Sequence, residues 1–403
     1  MSESEWLSVL GIDGERWVTR TGCRKVLVAV HTLVAGQRLL DVTGLVESDR
    51  RVQVCYTRPP DVFRHGADGF VRSIGALEIP WQQAVRERFD LALAAAYGGL
   101  PLLHAPIMVL PHGAGYAKRT PRAEAAGRLV ERGVYGLGAE HLIRDGRVVP
   151  ASIVLSHEDQ RERLARQCPR AAEFALVAGD PCHDRLRASA GRRAACREAL
   201  GVRGDQRLVV VASTWGPRSL FGEHPDLPGE LVRQLDPRRY RVAALFHPAV
   251  WGAHGRRQLR AWLRGERSAG LLLVEPEVDW RGVVLAADHV VGDHGSVTAY
   301  AAAAGKPVLH TDPPLDELDP ASAQAFVAER APRLRPAEPI EPQLTGTPPD
   351  GWAEAVASRV TSRPGRAHAL LRKEMYRLLD LPEPPGPPVL DPVPLPGGDR
   401  HAV

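Results

Sequence analysis

Four short segments carry residues able to act on a phosphate-bearing ligand, and each follows an apolar run. In IMVLPHGAGYAKR (107–119), His112 directly follows the run, and Gly113 and Gly115 permit a tight turn. A histidine so placed can take a proton from an attacking hydroxyl near neutral pH. Lys118 and Arg119 could meet a phosphate. In ALFHP (244–248), His247 ends a run that Pro248 stops, and its N–H could hold a phosphate oxygen. In VASTWGPRS (211–219), Ser213 and Thr214 offer hydroxyls, Arg218 offers charge, and Trp215 reads as packing. In GDHGSVTAYAAAAGKP (292–307), Asp293, His294, Gly295, Ser296 and Thr298 lie between an apolar run and an alanine-rich helical stretch. A strand leading into a helix presents backbone N–H groups and a positive dipole end to an anion. For each segment an ordinary turn without chemistry is the competing reading.

Other segments say less. SHEDQ (156–160) reads as a helix start with Ser156 as its cap. GDPCHDRL (179–186) gathers Asp180, His183 and Asp184, but a single short cluster without further spaced ligands does not make a metal site. The five cysteines show no CxxC pair and read as reduced thiols. No P-loop, G-x-S-x-G elbow, HExxH or early GxGxxG is present, which disfavours a nicotinamide dehydrogenase.

The elements that must position these loops follow from the apolar runs. The first half carries KVLVAV (25–30), RVQVCYT (51–57), LALAAAY (91–97), IMVLP (107–111), SIVLS (152–156) and FALVAG (174–179). The second carries LVVVAS (208–213), VAALFHP (242–248), LLLVEP (271–276), HVVGD (289–293) and PVLHT (307–311). Continuous apolar strands alternating with helical stretches predict parallel sheets covered on both faces. The α/β pattern predicts an extension over 1–21, Rossmann-like domains over 22–185 and 186–335, helices over 336–380 and a tail over 381–403. Trp352, Val356 and Val360 mark one late helix, and Leu371, Met375 and Leu378 another. Eight prolines in the last 23 residues predict an extended or disordered tail. Two Rossmann-like domains with C-terminal helices are the GT-B architecture, in which a ligand is expected in a cleft between domains, at the strands' C-terminal ends.

Composition narrows the function classes. With 44% hydrophobic and 25% charged residues over 403, the chain reads as a soluble globular protein. A formal charge of +4 argues against a dedicated nucleic-acid binder. Four lysines and no asparagine among abundant arginine, alanine, glycine and proline read as coding bias. The opening MSESEWLSVLGIDGERW lacks a basic start and a long apolar run, so no signal peptide is expected. LALAAAYGGLPLLHAPIMVL (91–110) is broken by glycine, proline and His104 and reads as two strands, not a membrane span.

Taken in order, these loops resemble the CDP-glycerol glycerophosphotransferase family, the enzymes of teichoic-acid-type polymers. The resemblance runs from about residue 105 to 311. It rests on PHGAGYAKR for the family's HGT and basic residues, LSHEDQ for a serine-containing helix start, and GDPCHDRL for GxPRxDxL. ASTWG stands for an APTWR-like strand end, FHP for a strand ending in HP, and ADHVVGDHGSVTAYAAAAGKP for the DYSS…GKP block. The resemblance implies that His112 is the catalytic base, that His247 stabilises donor phosphates, and that Ser296, its loop and Thr214 bind the diphosphate. The ligand set is then Gly113, Ser213, Thr214, Arg218, Asp293, His294, Gly295, Ser296 and Thr298, with no metal and no cofactor beyond a CDP- or UDP-linked donor.

The chain departs from the family at Cys182 and Gly216, where arginines stand, at His294 and Gly295, where tyrosine and serine stand, and at Tyr300, where a ribose-holding carboxylate often follows. The expected activity is transfer of a glycerophosphate-, polyol-phosphate- or glycosyl-type group from a nucleotide-activated donor to an acceptor hydroxyl. A glycosyltransferase or epimerase of the same fold and a catalytically silent nucleotide-binding protein stay open as alternatives. The expected setting is cytoplasmic, peripheral membrane contact also being open, and the expected partners are small molecules, not nucleic acid.

Overall fold

A computed structural model describes residues 7, 14–61, 66–121, 124–125, 128–129 and 132–397. Most of the expected extension 1–21, and 398–403 of the expected tail, lie outside the described residues. The chain forms two compact units. Unit 1 comprises Met1–Tyr116, Gly133–Cys182 and Arg363–Asp391, and unit 2 comprises Ala117–Arg132, His183–Ser362 and Pro392–Val403. Contiguous domains therefore do not describe the chain's path: 117–132 belongs with the second unit and 363–391 with the first.

Unit 1 is built on seven parallel strands: β1 (Arg24–Ala29), β2 (Val52–Thr57), β3 (Glu78–Ile79), β4 (Leu91–Ala94), β5 (Ile107–Val109), β6 (Ser152–Leu155) and β7 (Ala175–Val177). Their order is β7-β6-β5-β4-β1-β2-β3, so the sheet changes direction between β1 and β4. Strand β4 is buried at every position, as a strand covered on both faces must be. The helix α1 (Leu33–Glu47) opens with Thr32, whose hydroxyl accepts from the Ala35 N–H at 3.1 Å. Leu39 and Val42 of α1 share a core with Leu371, Met375 and Tyr376 of the helix Ala367–Leu378. The second helix of the expected C-terminal pair thus completes the first unit's core. The stretch 91–110 forms β4 and β5, and no helix among the described residues is long and apolar enough to cross a membrane. A second helix, α2 (Glu158–Gln167), is capped by the His157 imidazole, which accepts from the Asp159 N–H, and not by Ser156. Ser156 instead exchanges two hydrogen bonds with the Gln160 side chain, each 2.9 Å.

Unit 2 carries five parallel strands, β8 (Arg207–Ser213), β9 (Tyr240–Phe246), β10 (Leu272–Leu273), β11 (His289–Gly292) and β12 (Val308–His310), in the order β10-β9-β8-β11-β12. The chain runs outward from β8 to β10, then returns to place β11 on the other side of β8. That reversal is a topological switch point, where open α/β sheets leave a crevice beyond the strand ends. Helix α3 (Trp280–Ala286) precedes β11, and α4 (Ser296–Ala303) follows it. Lys306 Nζ donates to the Leu285 and Ala287 carbonyls at 2.9 and 3.0 Å, so this lysine caps the carboxyl end of α3. Burial lowers its pKa to about 8. The described part of the proline-rich tail has neither helix nor strand, yet it is packed. Val393 is wholly buried and its N–H donates to Ser189 Oγ at 2.9 Å. Proline content removed ladder donors there without preventing burial.

Candidate active site

At the switch point of unit 2 the loops after β8 and β11 are tied together by one carboxylate. Asp293 Oδ2 accepts from the Thr214 N–H at 2.9 Å and the Leu220 N–H at 2.8 Å, with Ser213 Oγ 3.3 Å away. Its Oδ1 accepts from the Gly295 N–H at 2.9 Å. Burial raises the Asp293 pKa, and the backbone donors act against that rise. Both oxygens are thus spent on the protein's own backbone. Asp293 positions the site instead of contacting a donor phosphate, a correction to the sequence expectation. Ser213 is corrected likewise, since its buried hydroxyl also accepts from the Phe221 N–H at 3.0 Å. Gly295 keeps this clamp uncrowded: a Cβ there would lie 3.1 Å from Asp293 Oδ1 and 3.2 Å from Thr214 Cβ, tight enough to push either by a few tenths of an ångström.

The clamp leaves the amino end of α4 at the strand ends. The first N–H groups of a helix have no partner within it, and the dipole favours an anion there. Ser296 stands at this end and accepts from Gln324 Nε2 at 3.3 Å. Thr298 lies one turn in, its hydroxyl buried without a hydrogen-bond partner among the described residues. His294, in the loop before α4, is also buried, with Nδ1 likewise unpartnered among the described residues. Burial first, then the nearby cations Lys118 and Arg218 and the neighbouring His310 ring, push its pKa down to about 3. At neutral pH His294 can therefore donate or accept a hydrogen bond but brings no charge.

The charge comes from a segment the chain inserts from elsewhere. In 117–121 the Arg119 N–H donates to the Glu317 carbonyl, and the Asp319 N–H to the Ala117 carbonyl, at 2.9 and 2.8 Å. Lys118 is held between these bonds, its Nζ 4.4 Å from the centre of the Trp215 ring. It keeps solvent contact, yet its crowded surround lowers its pKa against the pull of Glu317 and Asp293. Trp215 is thus a platform for a cation as well as packing. Arg218, expected to add charge, is engaged by Asp316 and Glu317 at 3.1 and 2.9 Å. Those pairs are half-exposed, so they are weak and can exchange for a ligand.

His247 ends β9 and opens the helix Pro248–His254. Its Nδ1 accepts from the Ala249 N–H at 3.0 Å, so Nδ1 carries no proton and the neutral ring holds its hydrogen on Nε2. Gly216 sits at φ +96°, where an arginine would be strained, which accounts for one departure from the family pattern. Tyr300 is buried and stacked on Trp280 with centroids 5.4 Å apart, so it serves the core. His310, at the end of β12, has the environment of a site residue, and sequence reasoning passed it over as the end of a strand.

In unit 1 the loop after β5 is organised by opposite means. His112 is exposed and its Nδ1 lies 3.2 Å from the Ala95 carbonyl, just past β4. Only an N–H can bond a carbonyl, so the neutral ring leaves Nε2 unprotonated, the form a general base needs. The next residue is anchored: Arg38 Nη2 donates to the Gly113 carbonyl at 2.7 Å. Gly113 thus acts through its backbone as part of the turn. Arg38 also pairs with Asp180 at 3.4 Å, both buried. Asp180, noticed only as part of a doubtful metal cluster, is a counter-ion. Gly115 has φ +67°, and a Cβ there would lie 2.4 Å from Gln160 Nε2, so the turn needs glycine at this position.

No protein-family model matches the sequence, and no curated protein matches it. Solved structures do. A variant of the wall teichoic acid polymerase TagF soaked with CDPG is similar over 89% of this chain and 88% of its own, at a TM-score of 0.58 and 12% identity. TagF itself gives 0.55 at 13% identity over 89% and 88%. The S. aureus MnaA–UDP co-structure gives 0.54 at 12% identity over 89% and 97%. At these identities the likeness is one of fold, and the fold is the α/β GT-B class expected from the sequence.

Proposed function

We propose that this GT-B chain is a transferase. It moves a glycerophosphate-, polyol-phosphate- or glycosyl-type group from a CDP- or UDP-linked donor to an acceptor hydroxyl. The observation that carries this reading is the Asp293 clamp, which fixes the amino end of α4, Thr214 and Gly295 at the switch point of unit 2 beside Lys118. The resemblance of the loop order to glycerophosphotransferases and the fold shared with TagF and MnaA support it.

In the reaction, the acceptor oxygen bonds to the transferred group as that group's bond to a nucleotide phosphate oxygen breaks. The acceptor's proton passes to His112 Nε2. The negative charge left on the nucleotide is met by the α4 N–H groups, Lys118 and the His247 Nε2–H, donors set in place before the charge develops. Ser296, Thr214 and the Gly295 backbone border the same phosphate position.

The test is to incubate the protein with CDP- and UDP-linked donors and an alcohol acceptor and to follow nucleotide release. His112→Ala is expected to slow release by about 10²–10⁴-fold. Release as fast as wild type from both His112→Ala and His247→Ala would overturn the mechanism. The engagement of Arg218 by two acids favours one second reading, a silent nucleotide-binding protein. A nucleotide bound tightly yet never consumed with any acceptor would establish it.

A further inference from the structure

Three buried polar atoms without a hydrogen-bond partner among the described residues converge on one strand end: His294 Nδ1, Thr298 Oγ1 and His310 Nε2. Gly292, the last residue of β11, organises them. His310 is its register partner on β12. Paired residues of a parallel ladder point to the same face, so the His310 side chain leaves the sheet on the side where Gly292 has no Cβ. Thr298 occupies that same side, since a Cβ on Gly292 would lie 2.3 Å from its Oγ1. His294 follows two residues later and is close enough to His310 that a proton on one ring disfavours a proton on the other. Folded proteins leave few buried polar groups unsatisfied, and three around one glycine mark a place meant to be filled.

The chemistry of the occupant follows from the tautomers. His310 Nδ1 donates to the Thr311 carbonyl; Arg333 Nη1 reaches the same carbonyl at 3.1 Å and lies farther from Nδ1, at 3.5 Å, so the closer carbonyl sets the proton on Nδ1. The proton on Nδ1 leaves Nε2 as a bare acceptor. An acceptor cannot satisfy a phosphate oxygen, which also only accepts; it requires a ligand O–H or N–H. Thr298 can donate and accept, and His294 Nδ1 can take either role. Burial keeps His310 uncharged by lowering its pKa to about 4.

We infer that His310, Thr298 and His294 form a neutral subsite beside the phosphate position that takes a hydroxyl-bearing part of the donor, with His310 Nε2 accepting from a ligand hydroxyl. This rests on the reading of unit 2 as the donor-binding unit. It also reassigns His294 and Thr298 from the phosphates to the neighbouring hydroxyls. The hydroxyls belong either to the nucleotide's ribose or to the transferred polyol or sugar.

The experiment measures binding of CDP, UDP, their 2′-deoxy analogues, the corresponding activated donors and inorganic pyrophosphate by calorimetry. Wild type is compared with His310→Phe, which keeps the ring shape and removes the acceptor, and with the near-isosteric Thr298→Val. Melting curves without ligand show that each variant is folded. The expected result is a loss of about tenfold or more in nucleotide affinity for either variant, with pyrophosphate affinity unchanged. If the ribose is the source, the loss appears with CDP or UDP and vanishes with the 2′-deoxy analogue. If the transferred group is the source, it appears only with the activated donor. Equal losses for pyrophosphate and nucleotides, or no loss in either variant, would overturn the subsite and leave the donor reading standing. A wild type that binds neither nucleotide nor pyrophosphate removes the donor reading, and the subsite falls with it.

Discussion

The two units hold their strand-end loops with buried side chains of opposite kind, a donor in one and an acceptor in the other. Unit 1 buries a cation, Arg38, that gathers a carbonyl of the His112 turn and is balanced by Asp180. Unit 2 buries a carboxyl, Asp293, whose oxygens accept from three backbone N–H groups. The histidines differ in the same sense. His112 gives its Nδ1 proton to the Ala95 carbonyl, whereas His247 accepts the Ala249 N–H on its Nδ1. Under the proposed function, the first loop receives the acceptor's proton and the second donates hydrogen bonds to the nucleotide's phosphate. Two sheets of the same kind acquire different tasks from which backbone group each loop turns toward its neighbour.

The largest effect that would break this contrast lies in the histidines. His112→Ala should cost turnover by the orders of magnitude given above while leaving nucleotide binding within about twofold. His247→Ala should weaken nucleotide binding about tenfold, the worth of one hydrogen bond to a charged group. Equal effects of both variants on binding, measured by calorimetry, would erase the division of labour.

Next is the buried pair of unit 1. Arg38→Met leaves Asp180 uncompensated and should destabilise the protein by about 3–5 kcal/mol, read by urea unfolding. The double variant with Asp180→Leu should recover most of that loss. Asp293→Ala in unit 2 leaves the N–H groups of Thr214, Leu220 and Gly295 without their acceptor and should cost a comparable amount, at about 1–3 kcal/mol for each donor left unsatisfied. It should also abolish pyrophosphate binding, whereas Arg38→Met should not.

The smallest effect concerns pH. His310 titrates near 4 in the fold and at its ordinary value of 6.5 when unfolded. Its contribution to stability is therefore full above pH 6.5 and is lost as pH falls toward 4, since the unfolded chain binds the proton first. Asp293, with a raised pKa, contributes in the opposite direction. The difference between wild type and His310→Phe isolates the histidine. The drop in melting temperature from pH 7.5 to 5 should be smaller in the variant, and equal drops would show that His310 is not held neutral.

Much of the scaffold was legible in the sequence, because an apolar run such as LVVVAS or LALAAAY admits few fates besides a strand covered on both faces. The loops that follow these runs were legible for the same reason. What was not legible depends on residues far apart in the chain. Asp293 looked like a ligand because nothing local shows that it faces the N–H groups of Thr214 and Leu220. Arg38 was one arginine among many until Gly113 and Asp180 were brought to it. His310 hid in a strand because period-2 reasoning gives its face and not its neighbours. Ser156 was misread by one position, since histidine also accepts an N–H but is rarely considered a cap. The tail is extended, as its prolines predict, but they do not show that Val393 is buried with its N–H bonded to Ser189, a residue 204 positions earlier.

The helix Ala367–Leu378 has a consequence for how the protein is made. Leu371, Met375 and Tyr376 lie in a core whose other members begin at Val26. On a ribosome, the first strands emerge long before that helix is synthesised. Unit 1 must therefore wait, incompletely packed, while unit 2 is translated almost to its end. A stop codon or a protease cut shortly before residue 363 would spare every candidate residue of the site and still leave the unit carrying His112 without part of its core.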